Sequence, residues 1–335
     1  MVMKAQKLPG IACWFPFHDY ELIQETCTII KELKIEEVRT AFSWADWERP
    51  GGQEWFDYMV GQLHSQGVML VPCLFYTPLH LAMHKKGSKP QTSFPPNNLE
   101  DFSVFTAKMI DRYGYVFEWI QLWNEANWQV YWDQELDPEG KLFAQMVKQA
   151  IPICHHANKK IVLGGLSPYD PAWVKRMFDY GVMQNVQALG IHAFPRTWVG
   201  PDQTRRPRGK PWISLEAEVQ DARNQLKELG LNTEVWITET GHSTWGQGQE
   251  REQNNQVQIE FFKEVLSTSA DKVFWYTVFD LKYQAENDNT LNNKMEFDEK
   301  LYNFGLATVY RNKKPLFHYW RRLADSFNNR KLLIS

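Results

Sequence analysis

Eight times along this chain a short apolar run gives way to a segment with helical spacing, and that alternation restricts the fold more than any other feature. The predicted strands lie at about 10–17, 36–43, 68–75, 117–123, 160–164, 187–191, 234–238 and 272–279. The predicted helices lie at about 20–33, 54–66, 99–113, 139–157, 171–181, 214–229, 252–268 and 315–326. The first helix shows the pattern, with Leu22, Ile23, Cys27, Ile29, Ile30 and Leu33 on one face. Strand–helix alternation implies a parallel sheet, and runs that are apolar on both faces fit one. Eight right-handed units close naturally into an α/β fold, the (β/α)8 TIM barrel. An open doubly wound sheet would need a Gly-rich phosphate turn after its first strand. That turn here reads Phe15-Pro16-Phe17-His18-Asp19, and neither a Gly-x-Gly-x-x-Gly nor a Walker-type loop occurs. With 335 residues, 43% of them hydrophobic, and no repeat, low-complexity stretch or linker, the expectation is a single domain over residues 1–335.

Composition removes several function classes. A formal net charge of −3 argues against a general nucleic-acid binder. No stretch approaches the ~18 apolar residues a membrane span requires. Residues 1–10 lack the apolar core of a signal peptide, so the expected location is cytoplasmic, or secreted if a leader was removed. Cys13, Cys27, Cys73 and Cys154 lie far apart with no Cys-x-x-Cys and read as buried free thiols. The histidines are scattered as well, and His155-His156 falls on a predicted helix away from the strand ends. No metal and no cofactor is expected; oligomeric state is not legible.

In a barrel of this kind the chemistry sits at the C-terminal ends of the strands. Glu125 closes the run Gln-Leu-Trp-Asn-Glu (121–125), and Glu239 closes Val-Trp-Ile-Thr-Glu (235–239). A buried carboxylate is costly unless paired or used. Two of them on different strands point to a working pair, which is what glycosidic-bond cleavage needs. The alternative is a pair of barrel-mouth salt bridges, since structural ion-pair networks also perturb carboxylates. The other polar or aromatic residues at predicted strand ends are Arg39, Ser43, Trp44, Tyr76, His80, Asn124, His192 and Trp275. Fifteen Trp, 13 Tyr and 20 Phe suit either a large core or sugar-stacking walls. The rings expected near the mouth are Trp14, Trp44, Trp47, Trp123, Trp128, Trp132, Trp198, Trp245 and Trp275, with Trp128 and Trp275 the first candidates for substrate contact. The basic loop 205–210 reads as solvated, or as a site for an acidic sugar.

Several segments resemble, in order, the retaining glycoside hydrolases of the large (β/α)8 clan that includes cellulases, β-mannanases and β-xylosidases. They are Val-Arg-Thr-Ala-Phe-Ser-Trp-Ala-Asp-Trp-Glu-Arg-Pro (38–50), Leu-Phe-Tyr-Thr-Pro (74–78), Asp-Arg-Tyr-Gly (111–114) and Gln-Leu-Trp-Asn-Glu (121–125). Leu-Gly-Gly-Leu-Ser-Pro (163–168), Gly-Ile-His-Ala-Phe (190–194), Trp-Ile-Thr-Glu-Thr-Gly (236–241), Phe-Gly-Leu (304–306) and Lys-Lys-Pro (313–315) continue the series. The resemblance implies that Glu125 is the acid/base and Glu239 the nucleophile. It implies that Asn124 binds the sugar 2-hydroxyl and that Arg39 supports the nucleophile. It further implies that His192 opens the strand-six His-x-Tyr pair and that Trp275 is the ring under the reacting sugar. Tyr76 and Trp128 are expected to bind substrate, a carbohydrate, and no cofactor is implied.

Two positions depart from the pattern. Ala126 follows Glu125 where the clan often has proline, and Phe194 stands where the strand-six tyrosine is usual. The missing hydroxyl requires another donor beside Glu239, with Tyr276 and Tyr76 as candidates, or an altered nucleophile environment. The implied activity is retaining hydrolysis of a β-linked oligo- or polysaccharide. The alternatives are a carbohydrate-binding barrel with weak turnover and a transglycosidase. An aldolase or isomerase would want a Schiff-base lysine or a late Gly-rich phosphate turn, and neither is evident at a strand end.

Overall fold

Each predicted alternation becomes a strand and a helix in the computed structural model, which describes residues 8–194, 214–282 and 299–332. Trp198 and the basic loop 205–210 lie outside the described residues. The strands are β1 (Gly10–Cys13), β2 (Glu37–Ser43), β3 (Met69–Phe75), β4 (Trp119–Leu122), β5 (Lys160–Leu166), β6 (Ala188–Ala193), β7 (Glu234–Thr240) and β8 (Lys272–Tyr276). They close in chain order, every neighbouring pair parallel and β8 returning to β1. Around them run α1 (Tyr20–Leu33), α2 (Trp44–Trp47), α3 (Gly52–His64), α4 (Glu100–Tyr113), α5 (Lys141–His156), α6 (Pro171–Asp179), α7 (Leu215–Glu228), α8 (Gly248–Ser267) and α9 (Pro315–Leu332). The architecture is the expected (β/α)8 barrel.

Local chemistry starts and stops these elements. Asp19 accepts a hydrogen bond from the Leu22 amide at 3.0 Å and begins α1, and Lys34 in the left-handed region ends it. Asp170 caps α6 through the amides of Ala172 and Trp173, with Pro171 in its first turn. The short helix α2 was not anticipated; Ser43 at the end of β2 caps it through the Asp46 amide. β1 stops at Cys13, four residues short of expectation, although Trp14-Phe15-Pro16-Phe17 continues the apolar run. Pro16 has no amide hydrogen for a ladder bond, and its residue is exposed.

The core has two layers. Inside the barrel Ala12, Val71, Trp119, Val162, Ala188, Trp236 and Phe274 pack together, with Trp119 and Trp236 ring centroids 4.4 Å apart. Outside it, the alternate side chains meet the helices. This alternation corrects the expectation for Trp275. On β8 Phe274 and Tyr276 belong to the inner set, whereas Trp275 points outward against Phe261 and Phe262 of α8. Trp275 is fully buried there and does not reach the mouth. Among the described residues no helix is long and apolar enough to cross a membrane.

One buried ion pair ties the closing segment to the mouth end of the barrel. Lys314 Nζ lies 2.6 Å from Asp280 Oδ1, donates to Thr244 Oγ1 at 2.7 Å, and donates to the Asn303 carbonyl. Burial pushes Lys314 down to about 8, and burial raises Asp280. Breaking such a pair from one side strands the other charge. Lys314→Met is expected to lower stability by about 3–5 kcal/mol, read as a fall in the urea midpoint. An unchanged midpoint would show that the pair is dispensable.

Candidate active site

Glu125 reaches the mouth through an irregular stretch directly after β4. Trp123 (φ 69°) and Glu125 (φ 46°) both adopt left-handed backbone, flanking Asn124. Each such non-glycine residue costs on the order of 1–3 kcal/mol, so the surroundings must hold the stretch in place. Several bonds do so. The Trp123 amide donates to the Leu74 carbonyl at 2.8 Å, its indole Nε1 donates to the Tyr131 carbonyl at 2.9 Å, and the Trp128 amide donates to the Glu125 carbonyl at 2.9 Å.

Glu239 sits within β7, and a register irregularity aims its surroundings. Ile191 pairs with Ile237, but the next pair is His192 with Glu239. The extra residue in β7 turns His192 and Glu239 toward the same space. One oxygen of each glutamate and one ring nitrogen of His192 all lie within 4.8 Å of one another. All three residues are buried. Two carboxylates and an imidazole are donors a divalent metal accepts. The local positive charge here, however, comes from Arg39, whose Nη1 is 2.6 Å from Glu239 Oε1.

Arg39, fully buried on β2, organises the rest. Its Nε donates to Gln121 Oε1 at 2.7 Å, and its Nη2 donates to Asn124 Oδ1 at 2.7 Å and to Cys73 Sγ at 3.7 Å. Gln121 Nε2 in turn donates to the Trp123 carbonyl. Because Asn124 Oδ1 faces the guanidinium, its Nδ2 donor is directed elsewhere. The Trp14 ring, on the residue after β1, lies 4.9 Å from the guanidinium carbon and covers it.

The two carboxyl groups have different surroundings. Burial pushes Glu125 up to about 8, against the opposing pull of the Ser167 hydroxyl and the Arg39 charge. Burial also takes His192 down to about 3. They meet at 2.6 Å, Nδ1 to Oε1, and burial favours the neutral form of both groups. Glu239 is the partner of the permanent cation Arg39. A buried cluster with one guanidinium and one carboxylate is balanced, and a second negative charge on Glu125 would not be.

The structure brings Glu125, Glu239, Arg39, Asn124 and His192 together, with Tyr76 and Trp128 half-buried near them. Phe194 packs edge-on against Tyr276 at 6.3 Å and against Phe304 at 5.3 Å. Neither Tyr76 nor Tyr276 hydrogen-bonds Glu239 among the described residues; its second oxygen lies 3.7 Å from His192 Nδ1. Of the aromatic set expected at the mouth, Trp44, Trp47, Trp123 and Trp132 are core residues like Trp275. Trp14, Trp128 and Trp245 are half-buried. His80 is exposed.

Four contributors were not singled out from the sequence. Gln121 was detectable as a polar residue in the middle of an apolar strand. Ser167 and Asn127 had no such signal: Asn127 holds the Ser167 loop through the Ser167 amide and the Pro168 carbonyl. Gly165 is the fourth. Its φ is +68°, and a Cβ there would lie 2.8 Å from Gln121 Nε2 and 2.9 Å from His192 Nε2. Only glycine lets β5 pass this close to the polar cluster.

No protein-family model matches the chain, and the search of curated proteins finds no match. Solved structures do match. A family 39 glycoside hydrolase from Bacteroides cellulosilyticus is 17% identical with a TM-score of 0.65, over 95% of this chain and 64% of its own. A β-galactosidase from Marinomonas ef1 is 15% identical with a TM-score of 0.65, over 96% of this chain and 60% of its own. The virulence factor SghA of Agrobacterium tumefaciens is 15% identical with a TM-score of 0.63, over 95% of this chain and 96% of its own. The chain thus spans less than two thirds of the first two proteins and nearly all of the third. At these identities the likeness is one of fold: the chain is a (β/α)8 barrel of the kind on which that family 39 glycoside hydrolase and that β-galactosidase are built.

Proposed function

We propose that the chain is a retaining O-glycoside hydrolase, one catalytic domain that cleaves β-glycosidic bonds in an oligo- or polysaccharide by double displacement. The observation that carries this reading is the pair Glu125 and Glu239, with oxygens within 4.8 Å, one member raised by burial and the other paired with arginine. Retaining enzymes hold the two groups about 5–5.5 Å apart, whereas inverting enzymes need about 6.5–9.5 Å to admit a water. The glycoside hydrolase and the β-galactosidase among the structural neighbours support the same class.

In the first step Glu239 attacks the anomeric carbon while Glu125 gives its proton to the leaving oxygen. The carbon–oxygen bond to the leaving group breaks as the glycosyl ester forms on Glu239. In the second step Glu125, now a carboxylate, takes a proton from water. The water oxygen bonds to the anomeric carbon, and Glu239 is released. Asn124 Nδ2, kept free by Arg39, donates to the sugar 2-hydroxyl. Neutral His192 steadies Glu125 in both steps without competing for charge. An acceptor sugar in place of water would make the same intermediate a transglycosylation intermediate.

The reading is tested with 4-nitrophenyl β-glycosides of gluco, galacto, manno and xylo configuration, following the product anomer by proton NMR. The first-formed sugar is expected to be the β anomer. An α first product would exclude double displacement, and no turnover of any β-glycoside or β-linked oligosaccharide would exclude the activity.

The pH profile has a defined sign. Glu125 must be protonated in the free enzyme, and burial raises it to about 8. kcat/KM is therefore expected to hold below that pH and to fall about tenfold per unit above it. A basic limb that begins near 5 would contradict the buried-acid assignment.

A further inference from the structure

On β4 the side chains alternate, and Gln121 takes the inward position above Trp119, nearer the mouth. Ile120 and Leu122 on either side point outward into the helix layer. Gln121 is fully buried and offers no accessible atom to a sugar. No bond-making step uses it, yet both ends of its amide are engaged.

Gln121 Oε1 accepts from Arg39 Nε at 2.7 Å, and Gln121 Nε2 donates to the Trp123 carbonyl at 2.9 Å. A guanidinium only donates and a carbonyl only accepts, so the partners fix which way the amide points. The Trp123 carbonyl belongs to the peptide that leads into Asn124, between the two left-handed residues Trp123 and Glu125. Cys73, the partner of Gln121 across β3 and β4, makes weaker copies of both contacts. It accepts from Arg39 Nη2 at 3.7 Å and donates to the Trp123 carbonyl at 3.5 Å. From the other side the Gly165 backbone confines the amide nitrogen, since a Cβ there would lie 2.8 Å from it. Two parallel links thus run from the guanidinium that binds Glu239 to the turn that carries Glu125.

The neutrality of the amide matters because one cation serves the cluster. The groups that face Glu239 are Arg39 from β2, Cys73 from β3, Glu125 and Tyr131 from beyond β4, His192 from β6 and Tyr276 from β8. Burial raises the Cys73 thiol to about 12 and both phenols above their ordinary range, and it lowers His192 to about 3. Arg39 is therefore the charge that balances the nucleophile. A carboxylate at position 121 would compete for it and would turn an acceptor toward the Trp123 carbonyl.

We propose that Gln121 is a positioning residue that couples the nucleophile to the acid. Its amide oxygen directs the Arg39 charge to Glu239, and its amide nitrogen holds the turn that presents Asn124 and Glu125. This rests on the glycosidase reading of the two glutamates.

The test compares the wild type, Gln121→Met and Gln121→Glu on a 4-nitrophenyl β-glycoside, with kcat and KM measured across pH. Gln121→Met removes both bonds at similar volume. Its kcat is expected to fall about 10–100-fold, as for misplaced catalytic groups, with KM within about threefold because no substrate contact is lost. Gln121→Glu keeps the shape and the acceptor for Arg39. Its acidic limb of kcat/KM is expected to move up by about one pH unit, because two carboxylates then share one guanidinium. A residue that served only to fill the barrel would leave that limb where it is. If Gln121→Met does not fold, the pH profile of the isosteric Gln121→Glu decides. A Gln121→Glu profile superimposable on the wild type, or a Gln121→Met kcat within about twofold of it, overturns the proposal. No turnover of any β-glycoside by the wild type would sink the glycosidase reading, and this proposal with it.

Discussion

Glu239→Gln is expected to lose about four orders of magnitude or more in kcat/KM on every β-glycoside the wild type cleaves. The amide cannot form the glycosyl ester, and no neighbouring group replaces it. Glu125 is turned toward His192, and Arg39 is a cation. The substitution keeps the shape of the side chain and leaves Arg39 with its bonds to Gln121 and Asn124. A loss of activity with an unchanged fold by circular dichroism supports the nucleophile assignment. Activity within tenfold of the wild type would remove Glu239 from the chemistry.

Glu125→Gln is expected to behave differently, because the acid is needed only where the leaving group is poor. On a β-linked disaccharide kcat should fall by about 10²–10⁴-fold, as for loss of a general acid. On a 4-nitrophenyl glycoside the ester should still form and then persist, since no base activates water. Azide should restore turnover and yield the β-glycosyl azide. The same substitution has a stability signature. The folded-state value of Glu125 is raised from 4.5 to about 8. Its contribution to stability is therefore fully present below 4.5 and is lost as pH rises through 8. An amide does not ionise, so the variant should melt higher than the wild type at pH 8–9 and lose less stability between pH 5 and pH 9. A variant less stable than the wild type at pH 9, or one that azide leaves inactive, would contradict the assignment.

The barrel was legible because its signal is repeated. Eight apolar runs at regular spacing leave few topologies open, and errors of a few residues at strand ends do not alter the count. The same errors decide which way a side chain points. A strand alternates with period two, so a shift of one residue moves a ring from the mouth to the helix layer. That is why Trp275 was expected under the sugar while Tyr276 holds the inward position. The carboxylates escaped this ambiguity for separate reasons. Glu125 is placed by left-handed backbone after β4 and Glu239 by a register irregularity in β7, and neither is visible as periodicity.

The supporting cast was the least legible part. Ser167, Asn127 and Gly165 act through loops whose geometry depends on partners distant in sequence. The position of Phe194 shows the same limit from the other side. Its identity signalled a missing hydroxyl. The structure answers with a balanced cluster in which Arg39 holds one oxygen of Glu239 and neutral His192 stands beside the other. Tyr276 meets Phe194 edge-on and does not bond the carboxylate.

The central claim is that Glu239 carries the sugar between two steps governed by Glu125. Its most direct test is to incubate the protein with 2-deoxy-2-fluoro β-glycosyl fluorides and to map the labelled peptide by mass spectrometry. The account predicts one stable adduct per chain, carried on Glu239, with time-dependent loss of activity. An adduct on any other residue, or an active enzyme that forms none, would contradict it.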